Sequence, residues 1–329
     1  MASVRHRLEQ CQILLDDYLH PLFGAKADAA NLFRSIKASL GDGLEEGYDS
    51  TGHSFMAQRL RTQYRGSLVD LETYDQNIKR YLDQINERRP QDEQIALKYF
   101  QHLALLYTEH VLDRIFSDID VFVEELNKLV DKRNKDERDK KYFFAPFTPS
   151  DLTKLAYWMA TGSGKTLLLH INYLQIQHYL SQNKGIPFQN ILLITPNAGL
   201  SQQHLQEFQQ SGVPAQIFKQ SGGKPPANMV QIIEITKFTE SSSGPQLVNI
   251  KYFEGRNLIF VDEGHRGASG DVWVKYRDTL AEDGFTFEYS ATFGEAFNSG
   301  NSKDSLDIRH SYGKSVSYTH LRAHETVLD

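Results

Sequence analysis

Met159-Ala-Thr-Gly-Ser-Gly-Lys-Thr166 is the stretch on which the reading of this chain turns. Leu155-Ala-Tyr-Trp-Met159 before it is an apolar run of strand length, and Thr166-Leu-Leu-Leu-His-Ile-Asn-Tyr-Leu174 after it keeps its apolar residues on one helical side. A glycine-rich loop between a strand and a helix is a phosphate cradle. Gly162 and Gly164 let the backbone approach an anion with no Cβ in the way, and the helix N-terminus adds unpaired N–H groups and the positive end of its dipole. On this reading Ala160, Thr161, Gly162, Ser163 and Gly164 wrap the phosphates, Lys165 reaches the β- and γ-phosphates, and the Thr166 hydroxyl takes Mg²⁺. Met159 stands where the general pattern has its first glycine.

Further along, Asn257-Leu-Ile-Phe-Val-Asp-Glu-Gly-His265 is an apolar strand ending in two adjacent carboxylates. At the carboxyl edge of a parallel sheet such a pair faces the place where ligands bind in open α/β folds. Asp262 then holds Mg²⁺ through water, and Glu263 orients or deprotonates the water that attacks the γ-phosphate. Candidate strands at 155–159, 191–195, 215–218, 230–235, 258–261 and 286–289 alternate with helical patterns, which predicts a parallel sheet flanked by helices with right-handed crossovers. In such a sheet the loop, Asp262 and Ser290 meet at one edge.

Together with Ser290-Ala-Thr292, these motifs resemble the first motor domain of superfamily 2 helicases and translocases. More narrowly, the chain resembles the DEAD/DEAH-box proteins grouped with the restriction (Res) subunit of type III restriction enzymes, where the Met159 position need not be glycine. The resemblance implies a RecA-like P-loop domain and ATP with Mg²⁺ as cofactors. It assigns catalytic roles to Lys165, Asp262, Glu263 and His265, and coupling of nucleotide state to strand binding to Ser290 and Thr292 through His265. Ile191-Leu-Leu-Ile-Thr-Pro-Asn197 is similar to motif Ia, whose end, Thr195, Pro196 and Asn197, contacts the phosphate backbone of a nucleic-acid strand. Val230-Gln-Ile-Ile-Glu-Ile-Thr-Lys-Phe238 occupies the place of a further strand-contacting motif with a loose match. The implied protein is an ATP-dependent translocase or helicase motor acting on nucleic acid, double-stranded DNA in this group. Its implied setting is a cytoplasmic restriction or phage-defence enzyme with a methyltransferase or other restriction-system subunit as partner.

Relatives recognise adenine through a glutamine shortly before the P-loop, yet no Gln occurs between residues 130 and 159. Adenine selectivity is therefore implied by the resemblance alone. Tyr142, Phe143, Phe144 and Phe147 lie in that interval and either stack on a base or pack between domains. Motors of this kind close two RecA-like domains on one ATP, the second supplying an arginine worth on the order of 10³-fold or more in rate. The chain stops before a second such domain, so weak nucleotide binding and little turnover are expected of it. Residues 317–329 depart from the family pattern and resemble a reading frame that has run into adapter or vector DNA. They are set aside from the fold, His320 and His324 included.

Composition bounds these expectations without choosing among them. With 329 residues, 40% hydrophobic and 24% charged, the chain reads as a globular protein of about two domains. Its net charge of −6 supplies no bulk basic field for nucleic acid, so strand binding must come from local contacts and be salt-sensitive. The single Cys11 excludes an intramolecular disulfide and fits a reducing interior. No apolar run approaches membrane-spanning length, and the N-terminus lacks the apolar core of a signal peptide.

The first part of the chain reads as helical. Ile95, Tyr99, Leu103, Leu106, Val111, Ile115, Ile119, Phe122, Leu126 and Leu129 recur at helical steps, predicting one long or once-broken amphipathic helix. Leu68, Leu71, Ile78, Leu82 and Ile85 mark another that ends by Pro90. With weaker helices at 4–19 and 29–40 these suggest an antiparallel bundle, and the Gly-rich acidic run 41–52 forms a loop. Asp131-Lys-Arg-Asn-Lys-Asp-Glu-Arg-Asp-Lys-Lys141 alternates in sign and reads as a solvated linker. The expected organisation is a helical domain with its linker over 1–141, a RecA-like motor over 142–316, and the tail. Two other functional readings stand beside the motor: a P-loop NTPase that does not act on nucleic acid, and a helical protein-interaction module with an ATPase attached.

Overall fold

A computed structural model of the chain describes residues 12–24, 46–135, 144–183, 185–219, 226, 228–239, 247–262, 276 and 279–291. Six strands form one sheet: β1 (Lys154–Trp158), β2 (Asn190–Thr195), β3 (Ala215–Ile217), β4 (Val230–Glu234), β7 (Asn257–Asp262) and β8 (Phe285–Ser290). Between them the two-residue strands β5 (Phe238–Thr239) and β6 (Val248–Asn249) pair with each other. The six run in the order β1-β8-β7-β2-β4-β3, and every pairing is parallel. Their positions agree with the six expected from the apolar runs to within a residue or so at each end. Parallel strands buried on both faces need continuous apolar sequence, which Ile191-Leu-Leu-Ile194 and Leu258-Ile-Phe-Val261 provide.

Alternation divides those runs between two cores. Leu155, Tyr157, Ile191, Leu193, Val230, Ile232, Leu258, Phe260, Phe287 and Tyr289 face one side of the sheet. Leu192, Ile194, Ile233, Ile259 and Val261 face the other, where Phe238, Val248, Ile250, Phe253 and Leu280 cover them. The first side is the thicker. Helices α4 (Lys165–Gln182) and α5 (Ala198–Gln210) lie on it, and α2 (Leu68–Asn86) and α3 (Tyr99–Lys135) form a further layer beyond α4. A short α1 (Phe55–Leu60) leads into α2, its first turn capped by Ser54 Oγ accepting from Ala57 N at 2.9 Å.

That extra layer corrects the reading of α4 as one-sided. Leu168 through Ile176 are all buried, His170, Asn172 and Gln175 among them. A helix sandwiched between sheet and helices has no solvent face to keep polar. Its polar groups pair inside instead. Gln175 Nε2 donates to Glu109 Oε1 at 2.8 Å and to the Leu105 carbonyl at 3.0 Å, Asn172 Nδ2 donates to Gln175 Oε1 at 2.7 Å, and Tyr289 OH donates to Asn172 Oδ1 at 2.6 Å. A hydrogen-bonded chain thus crosses from α3 through α4 to β8.

The helical pair is antiparallel: Tyr74 bonds Asp113, Asn77 bonds Glu109, and Asn86 bonds Ile95. The once-broken form of the long helix is the one observed. Asp118 has φ −162° and ψ 94°, and its Oδ1 accepts from Val121 N at 3.0 Å, capping the second segment. The first expected helix is partly different, since Ile13–Leu19 winds with π-type hydrogen bonding rather than α. The expectations for residues 4–11, for 29–40, for 136–143 of the linker and for the tail at 317–329 lie outside the described residues.

Candidate functional site

The loop before α4 has the backbone that its glycines permit. Gly162 sits at φ +79° and Gly164 at φ +88°, the left-handed region that only glycine enters without strain. A Cβ on Gly162 would meet no described residue within 4 Å, so among the described residues the loop is open on its outer side. Inside, Ser163 is buried, with its Oγ donating to the Ala160 carbonyl at 2.6 Å and its N–H to the same carbonyl at 3.2 Å. From beyond the loop, Gln101 Nε2 in the first turn of α3 donates to the Ser163 carbonyl at 2.9 Å, while its Oε1 accepts from Lys98 N. Gln101 was not among the residues marked from sequence. It lies far upstream of the loop, and no local pattern distinguishes it from other helical glutamines. Lys165 and Thr166 open α4 and are half-buried.

Strand register gathers the other groups. Trp158 pairs with Ser290, Tyr289 with Asp262, and Val261 with Ile194, so the carboxyl ends of β1, β8, β7 and β2 stand side by side. The Met159 N–H donates to the Ser290 carbonyl at 3.0 Å, and Trp158 Nε1 donates to the Ala291 carbonyl at 3.0 Å, which ties the start of the loop to the end of β8. Asp262 closes β7 with its side chain mostly buried. Its Oδ2 lies 2.9 Å from His204 Nε2, on α5. His204 is a second residue that the sequence did not reveal. A histidine in an ordinary amphipathic helix carries no sign that it reaches a strand tip. Glu263, His265 and Thr292 lie outside the described residues.

Of the three residues expected to contact a nucleic-acid strand, Thr195 is 1% exposed, with its hydroxyl 2.6 Å from Ser201 Oγ. Pro196 and Asn197 emerge at the surface, and Asn197 Oδ1 caps α5 by accepting from Leu200 N at 3.0 Å. Of the aromatic residues before β1, Phe147 packs in the core and Phe144 lies against it. Next to Asp262 the imidazoles are deeply placed. Burial above all pushes His170 down to about 3, so its ring is neutral. A separate cleft lined by Ile250, Phe253, Gly255, Leu280 and Asp283 lies beside the amino ends of β7 and β8, the opposite edge of the sheet from the loop.

A parallel sheet that carries a glycine-turned loop above one strand and a buried acid at the tip of another defines a P-loop ATPase domain of RecA type, here behind a helical region. Over residues 107–295 the chain matches the family described as type III restriction enzyme, res subunit, and it belongs to that family, a DEAD-like helicase family. It is a helicase-like ATPase of the restriction-enzyme type. The matched region begins inside α3 and ends just after Ser290-Ala-Thr292. No curated protein matches the chain significantly. Among the described residues, no helix is long and apolar enough to cross a membrane.

Proposed function

We propose that this chain carries the nucleotide-binding domain of a motor that moves on double-stranded DNA, fuelled by ATP with Mg²⁺. The observation that carries the reading is the convergence of the open loop at 160–164, Lys165, Thr166, Asp262 and Ser290 on one sheet edge. The residues fit the nucleotide: two left-handed glycines hold the loop open, and the first turn of α4 points its N–H groups into it. Lys165 would hold the β- and γ-phosphates, and Thr166 with Asp262 would hold Mg²⁺, which would supply positive charge to the phosphate oxygens. Glu263 positions the attacking water, while His265, Ser290 and Thr292 relay the nucleotide state to the strand-binding surface. Pro196, Asn197 and the first turn of α5 supply the exposed part of that surface, since the Thr195 side chain faces inward. A second RecA-like domain brings the arginine that completes the site, and a methyltransferase or other restriction subunit is the expected partner.

The test is Mg·ATP binding and hydrolysis by this chain and by Lys165→Ala, each with and without double-stranded DNA. ATP binding should fall at least tenfold in Lys165→Ala, and in the wild type DNA affinity should change when ATP is bound. Lys165-dependent ATP binding that no polynucleotide alters would replace the motor with a P-loop ATPase that does not act on nucleic acid. ATP binding unaffected by Lys165→Ala would remove the nucleotide site itself.

A further inference from the structure

We propose that His170, His204 and Glu207 form a divalent transition-metal site of the zinc class, buried between α4 and α5 directly behind Asp262. One donor atom from each of the three side chains lies within 4.8 Å of the other two. His170 and His204 are 2% and 3% exposed, and among the described residues His170 Nε2 and His204 Nδ1 have no hydrogen-bond partner. An unsatisfied buried ring nitrogen costs roughly 1–3 kcal/mol, and a single cation between the two rings relieves both.

The outward contacts bear on which ring nitrogens are left with lone pairs. His204 Nε2 lies 2.9 Å from Asp262 Oδ2, a carboxylate that only accepts, so the ring carries its hydrogen there. His170 Nδ1 lies 2.9 Å from Ser211 Oγ, which also accepts from Arg89 Nη2 at 3.3 Å, and in the tautomer that donates to this hydroxyl His170 Nε2 is left as an acceptor. In that pair of tautomers a single shared cation would satisfy both ring nitrogens. The outer contacts have the form that orients metal-bound histidines elsewhere: carboxylate to imidazole to metal, and hydroxyl to imidazole to metal. Glu207 follows His204 by three positions on α5, which brings its carboxylate to the same face. The His170 ring is held by stacking on Phe208, with centroids 4.2 Å apart.

Two imidazoles and one carboxylate, with a water as fourth ligand, suit Zn²⁺ and its relatives rather than Mg²⁺ or Ca²⁺, which take oxygen ligands. Bond lengths of about 2.0–2.1 Å require the donors to close by shifts on the order of 1 Å. Bound there, the metal joins the P-loop helix to the helix that follows motif Ia, and it locks the tautomer in which His204 donates to Asp262. The site does not depend on the nucleotide reading, and its test uses no nucleotide.

The test is titration of the chelator-treated protein with Co²⁺, followed by its visible absorption, and with Zn²⁺ by calorimetry, both in excess Mg²⁺ so that oxygen-only sites are filled. One equivalent per chain with tetrahedral-type absorption is expected. Glu207→Gln, at a half-exposed position whose side chain bonds only Gln203 among the described contacts, should keep the fold and weaken binding at least tenfold. His170→Gln should abolish it. Ser211→Ala should weaken it roughly 10- to 100-fold through the lost outer contact, while His178→Gln, far along α4, should leave it unchanged. Absence of Co²⁺ absorption together with a thermal midpoint indifferent to Zn²⁺ would overturn the proposal. So would one equivalent bound equally well by Glu207→Gln and His170→Gln.

Discussion

At the scale of single residues, the two loop glycines are not equivalent. Gly162 needs its left-handed backbone, and no described residue crowds the place of its Cβ. Gly164 has the same backbone need, and a Cβ there would lie 2.2 Å from Gln101 Nε2. Gly162→Ala should therefore cost roughly 1–2 kcal/mol, the strain of the left-handed conformation. Gly164→Ala should cost more and also displace Gln101 from the Ser163 carbonyl, weakening ATP binding beyond what the stability loss explains. Thermal denaturation and ATP titration of both variants check this. Adding Gln101→Ala to Gly164→Ala should recover stability if the clash is real, and equal losses in the two single variants would show that Gln101 does not press on the loop. Gln101 also gives physical content to the missing upstream glutamine. The glutamine that touches this loop comes from α3, through the tertiary fold, and it contacts backbone.

At the scale of elements, α3 shows how a long helical pattern is punctuated. Its apolar residues keep their spacing across Asp118, so periodicity alone leaves the break open, and only the side-chain cap onto Val121 N reveals which residue turns the chain. Asp118→Ala should lose that cap and destabilise the protein by roughly 0.5–2 kcal/mol, measured by urea unfolding. An unchanged midpoint would mean that packing of Phe122 and Leu126 sets the break without the cap. Helix α4 makes the complementary case. Its apolar content reads as one amphipathic face, yet Asn172 and Gln175 are buried because the α2/α3 layer closes over them.

At the scale of the whole molecule, the helical region and the sheet share a core. Leu105, Leu106 and Leu112 of α3 belong to the same apolar cluster as Leu168, Leu193 and Phe260. Leu106→Ala should therefore lower the stability of sheet and helices together by roughly 2–5 kcal/mol in one transition. Separate melting of the two parts, seen by probes in each, would show that the layers fold independently. The same interface holds Glu109, buried and accepting hydrogen bonds from Asn77, Gln175 and Tyr179. Burial outweighs those bonds and pushes its carboxyl up from its ordinary 4.5 to about 7. Between those values the folded protein keeps a proton that the unfolded chain releases. The stabilisation is thus full below about pH 4.5 and lost as pH rises through 7, about 3 kcal/mol in all. Urea midpoints of wild type and Glu109→Gln across pH 4.5–8 check the sign, and parallel profiles would show that Glu109 does not carry this slope.

Much of the fold was legible because buried parallel strands are written as continuous apolar runs. All six could be placed from Leu155, Ile191, Ala215, Val230, Leu258 and Thr286 onward, and the loop at 159–166 announced its own strand and helix. The convergence of the strand tips followed from the parallel arrangement, which local sequence favours. What the sequence by itself determined, then, was the class of fold and the identity of the groups at its edge. The contacts that support those groups were decided by tertiary structure: Gln101 on the loop, His204 on Asp262, the pairing of His170 with α5, and the all-round burial of α4. Each joins residues far apart in the chain through side chains whose local patterns are unremarkable, and the packing of helix on sheet and helix on helix, absent from any local window, is what gives them their partners.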